Sequence, residues 1–66
     1  MSNSRERILA VERILTNKPQ TVLEIIRRLD LEYSIECDRK TVYKDIAVLS
    51  RYIPIVYRKG YFVQRH

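Results

Sequence analysis

Lys40, Tyr43 and Lys44 recur three and four residues apart in the run DRKTVYKDIAVLSRY, which spans Asp38 to Tyr52. At about 100° per residue a helix puts them on one side, continued by Ala47 and Arg51, while Val42, Ile46, Leu49 and Ile53 fall on another. The first face can capture an anion; the second asks for a core. Lys40 and Lys44 are like charges one turn apart, which costs a free helix roughly 0.2–0.5 kcal/mol and is offset when a polyanion neutralises them.

Catalytic chemistry finds little support. The one His is the chain end, His66, and the one Cys, Cys37, lies far from it in sequence, without metal-ligand spacing. One glycine rules out a glycine-rich phosphate loop. The carboxylate pairs Asp30 with Glu32 and Glu36 with Asp38 read as solvated caps and turn residues. Cys37 reads as a small apolar residue beneath the start of the third helix, the alternative being a redox-sensitive thiol activated by a helix N-terminus and Arg39. The expectation is a protein that is not an enzyme and carries no cofactor or metal.

Charge distribution supports an anionic partner. Residues 1 to 38 hold six basic and seven acidic side chains, a balance of −1; residues 39 to 66 hold seven basic side chains against Asp45 alone, a balance of +6, and the two sum to the net +5. Sixty-six residues make one domain, 1–66, in which twenty Ile, Leu and Val residues supply the core. The unpaired Cys37 requires no oxidising compartment, no apolar run approaches the roughly 20 residues of a membrane span, and MSNSRER lacks the apolar core of a secretory signal. A cytoplasmic protein, nucleoid-associated through DNA and without a membrane partner, is the expectation.

Three helices must position the basic face. The first is expected over about 4–16, with Ile8, Val11, Ile14 and Leu15 inward and Asn3 with Glu6 as a weak capping box, and Asn17-Lys18-Pro19 breaks it. The second is expected over about 21–32, opened by the capping box of Thr21 and Glu24. It buries Val22, Ile25, Ile26 and Leu29 and turns Arg27 and Arg28 outward, while Ile35 plugs the core from the connection that follows. The third is expected over about 39–52, with Asp38 as N-cap and Pro54 as the stop. Ile55 to Arg58 and Tyr61 to Gln64 then form a hairpin over about 55–64 around Lys59-Gly60, where glycine can take positive φ. At least two of Tyr57, Tyr61 and Phe62 are expected to pack on helices one and three. The chain ends, Met1 to Ser2 and Arg65 to His66, are expected to be mobile.

The fold class is therefore mainly α with a small β-hairpin, a three-helix winged helix-turn-helix. In that layout the third helix suits the major groove, which is about 12 Å wide. Lys40, Lys44 and Arg51 line its outer face, Thr41 and Tyr43 reach phosphates or base edges, and Arg39 takes a flanking phosphate. Arg58 and Lys59 on the wing meet neighbouring phosphates, and the amides around Gln20 to Val22 offer another phosphate site. The function expected is sequence-specific binding of double-stranded DNA by a small transcriptional regulator, with a homodimer or a partner regulatory protein completing the footprint through Val48, Tyr52 or helix one. The alternatives are a protein-interaction module on the same scaffold and an RNA-binding protein.

The segment DRKTVYKDIAVLSRYIPIVYRKGYFV, with ILAVERIL and TVLEIIRRL ahead of it, resembles the N-terminal winged-helix domain of DeoR-like and WYL-domain bacterial transcription regulators. The similarity runs from about Arg5 to Val63, and the string R-K-T-V-Y-K-D-I, the I-P-I and the G-Y wing return carry it. It implies that Asp38 to Tyr52 is a recognition helix with Arg39, Lys40, Thr41, Tyr43 and Lys44 towards DNA and Val42, Ile46 and Leu49 in the core. Ser34 stands where a turn glycine is common in that family. Those regulators usually continue into an effector-sensing domain, and signal sensing is not carried over from them.

Overall fold

Proline and capping chemistry divide the chain into its elements. The computed structural model describes residues 4–64, apart from the side chain of Asn17. The Asn3–Glu6 cap and both chain ends lie outside the described residues. Helix α1 runs Ser4–Asn17 and stops before Pro19, which has no amide hydrogen to continue the ladder.

Gln20–Thr21 is extended and forms β1, a strand the sequence did not suggest. It pairs antiparallel with the wing, Gln20 opposite Phe62 and Thr21 opposite Tyr61. Two residues are too few for an alternating pattern, so only the tertiary partner defines them as a strand. Thr21 is also the N-cap of α2, Val22–Tyr33: its Oγ1 accepts from the Glu24 amide at 3.1 Å, and Glu24 Oε1 accepts from the Thr21 amide at 2.8 Å. The capping box therefore forms as the spacing predicts.

Helix α2 ends at Ser34, whose φ of 56° and ψ of 36° place it in the left-handed region where glycine is preferred. The Ile35 amide then donates to the Leu29 carbonyl at 2.9 Å, and Ile35 turns into the core. Helix α3 spans Arg39–Leu49, capped by Asp38 Oδ1, which accepts from the Thr41 amide at 2.9 Å.

The expected end of this helix near Tyr52 is corrected to Leu49. Ser50 Oγ donates to the Ile46 carbonyl at 2.6 Å, and the Arg51 and Tyr52 amides donate three residues back, to Val48 and Leu49. The chain thereby tightens out of the α-helix before Pro54 imposes extended geometry. Strands β2, Ile55–Arg58, and β3, Tyr61–Gln64, follow as an antiparallel hairpin, and the sheet order is β1-β3-β2. Lys59 (φ 49°) and Gly60 (φ 85°) both take positive φ in the turn, as a tight hairpin with matched twist requires.

The core lies among the three helices. Ala10, Val11, Ile14 and Leu15 of α1 meet Ile25 and Leu29 of α2 and Val42, Ile46 and Leu49 of α3, with Ile35 and Phe62 closing the ends. Of the three wing aromatics only Phe62 is buried among the helices; Tyr57 and Tyr61 remain exposed, which corrects the expectation that at least two would pack on helices one and three. Alternation along β3 accounts for Tyr61, which faces the other side of the sheet from Phe62; Tyr57, opposite Phe62 in the ladder, lies against the Phe62 ring at the sheet surface.

Candidate nucleic-acid interface

Helix α3 is oriented from within by an ion pair. Asp45, 2 % exposed, lies on the inward face between Val42 and Leu49. Arg7 of α1 reaches it with two parallel hydrogen bonds, Nε to Oδ2 and Nη2 to Oδ1, the latter 3.0 Å. The Asp45 carboxylate raises the Arg7 guanidinium above its ordinary value. A bidentate contact of this kind fixes rotation about the helix axis as well as distance. The periodicity held the signal for it, because Asp45 is three residues after Val42 and four before Leu49 and shares their stripe.

With Asp45 turned inward, the surface of the C-terminal half carries no opposing acid after Asp38. Arg39, Lys40 and Lys44 on α3, Arg51 beyond it, and Arg58 and Lys59 on the wing are all exposed. Ion pairing takes up none of these six side chains among the described residues. Lys40, Lys44, Thr41 and the cap Asp38 line one shallow depression of about 290 Å³ along the first turns of α3. Asp38 is the one acid there, and the Thr41 amide holds its carboxyl below the ordinary value, with the Thr41 hydroxyl and Lys40 acting in the same direction and burial acting weakly against them.

No family model, curated protein or solved structure matches the chain. The site is therefore read from its own geometry. Thr41 and Tyr43 flank Lys40 and Lys44 from opposite sides of the helix, and Thr41 is half-buried. The Tyr43 ring meets Phe62 edge-on at 5.9 Å, and Phe62 in turn meets Tyr57 at 4.7 Å. A row of three rings thus joins α3 to both strands of the wing, which couples Lys40 and Lys44 to the strand that ends in Arg58.

Two expected contributions change. Arg51 is placed in the turn after α3 rather than on its last turn. The amides around Gln20 to Val22 are partly spoken for: Thr21 already donates to Glu24, and Gln20 and Thr21 belong to a strand pair. Cys37 is half-buried and packs against the core, and burial pushes its thiol up, opposed by Arg7; that is the reverse of what an activated thiol needs. No described helix is long and apolar enough to cross a membrane. No cluster of three or more His, Cys, Asp or Glu able to hold a metal occurs among the described residues.

Proposed function

We propose that this protein binds double-stranded DNA, laying the outer face of α3 in the major groove and the wing against adjacent phosphates, as a small transcriptional regulator of the DeoR-like and WYL winged-helix type. One observation carries the reading: the only acid after Asp38 is buried against Arg7, leaving six exposed cations on α3, its exit turn and the wing. Lys40 and Lys44 stand at the centre, Thr41 and Tyr43 flank them for phosphates or base edges, and Arg39, Arg51, Arg58 and Lys59 serve as phosphate anchors. Two copies on paired half-sites supply the footprint that one small domain lacks, in a cytoplasmic setting on the nucleoid.

Titration of a duplex library, single-stranded RNA and random competitor at two salt concentrations tests this. Contacts to about four phosphates lower duplex affinity roughly a hundredfold between 50 and 200 mM salt. Replacing Lys40→Ala with Lys44→Ala together should weaken duplex binding and lower the salt slope by about two. Unchanged duplex binding in that variant sinks the proposal, and tighter binding of single-stranded RNA transfers the same face to RNA.

A further inference from the structure

A second basic hollow opens beside the first turns of α2. It has a volume of about 330 Å³ and is lined by Lys18, Gln20, Glu24, Arg27 and Arg28. It shares no lining residue with the depression on α3. Glu24, Arg27 and Arg28 are three and four residues apart and so project from one face of α2, while Lys18 precedes β1 and Gln20 opens it.

The chemistry of this hollow is not that of an ordinary solvated helix face. Gln20 is 1 % exposed, and its Nε2, a donor, has no hydrogen-bond partner among the described residues. A buried donor without a partner is costly, and native structures usually satisfy such groups with a ligand or ordered water. Gln64 Oε1 is also buried without a partner among the described residues, but Gln64 does not line this hollow. Lys18 and Arg27 have no ion-pair partner among the described residues, whereas Arg28 is held by Glu32 at 2.7 Å. The Glu24 carboxylate is tied to the Thr21 amide, which lowers it below its ordinary value, and Lys18 and Arg27 add to that depression. The net charge of the lining side chains is +2, three bases less Glu24.

We propose that this hollow binds a phosphate oxyanion, with Lys18 and Arg27 supplying the charge and the Gln20 amide the buried donor. Phosphate oxygens are acceptors throughout, which suits a lining whose free groups are donors. The same oxyanion can come from the backbone of a bound duplex or from a small phosphate ester. In the first case the site extends the proposed function and rests on it; in the second it stands alone.

Inorganic phosphate titrated at constant ionic strength, read from the side-chain amide signals of Gln20 by NMR, is the test. Saturable shifts are expected, with affinity falling roughly tenfold or more when Lys18→Ala and Arg27→Ala are combined. Lys40→Ala with Lys44→Ala should leave this titration unchanged. Shifts no larger than those from matched chloride, or a Lys18→Ala/Arg27→Ala variant that titrates like the unaltered protein, overturn the site. On duplex DNA the same variant lowers the salt slope by about two if the oxyanion is a backbone phosphate, and leaves it unchanged if the ligand is a free phosphate ester. Phosphate saturation without duplex binding removes the proposed function and keeps the site; duplex binding without a phosphate response does the reverse.

Discussion

Helices α2 and α3 each hold an arginine–carboxylate pair, and the two pairs act differently. Arg28 and Glu32 lie one turn apart on the outer face of α2, Arg28 half-buried and Glu32 exposed, where water and salt weaken their attraction. Arg7 and Asp45 join α1 to the inner face of α3 across 38 residues of sequence, with side chains 17 % and 3 % exposed. The first adds a little local helix stability. The second takes the one acid within α3 out of its basic surface, leaving the cap Asp38 as the acid beside Lys40 and Lys44, and in doing so fixes which face of that helix looks outward.

The strongest way to break this contrast is Arg7→Ala, which strands the Asp45 carboxylate in the core. Loss of one partner of a buried pair costs about 3–5 kcal/mol, and the residual exposure of Arg7 puts the expectation near the lower end. A chain of this length has only roughly 3–10 kcal/mol in total, so urea denaturation should show a large part of it gone. Arg7→Leu combined with Asp45→Leu should recover most of the loss, since apolar replacement of a whole buried pair is often neutral. If Arg7→Ala unfolds no more easily than Arg28→Ala, the distinction between the two pairs fails.

A smaller effect comes from the caps. Thr21→Ala should cost about 1 kcal/mol by freeing the Glu24 amide in the first turn of α2, measurable as a shift in the denaturation midpoint. The pH dependence sharpens it: Glu24 and Asp38 are held below their ordinary values of 4.5 and 3.8, chiefly by the Thr21 and Thr41 amides. Their contribution is present above those ordinary values and is lost as pH falls through the depressed folded ones. Glu24→Gln should remove the Glu24 part of that acid loss, whereas Thr21→Ala, which keeps the backbone amide, should leave most of it; a Glu24→Gln profile unchanged below pH 4.5 counts against the capping box as its source.

Least affected should be Arg28→Ala, which removes a surface pair worth about 0.3–0.5 kcal/mol, an effect that fades in 1 M salt.

Much of this architecture was legible from residue types alone. Thr21 with Glu24 and Asp38 ahead of Arg39 marked two helix starts, because their side chains have few better partners than the free amides of a first turn. The apolar stripes marked three helices, and Lys59-Gly60 marked the hairpin. The end of α3 was misplaced by three residues because the Ser50 hydroxyl, which could equally have faced solvent, bonds back to Ile46. Strand β1 was invisible for a related reason: Gln20 and Thr21 are extended because Phe62 and Tyr61 lie opposite them.

Sequence by itself determined the elements, their order and the accumulation of positive charge after Asp38, since periodicity, capping and charge count are properties of neighbours along the chain. Only the tertiary structure decided what that charge faces. The partner that takes Asp45 out of the basic surface is 38 residues away, and the hollow around Gln20 gathers side chains from two elements. Burial sets both: a carboxylate or an amide removed from water must find a partner, and which partner it finds depends on packing that no local pattern encodes.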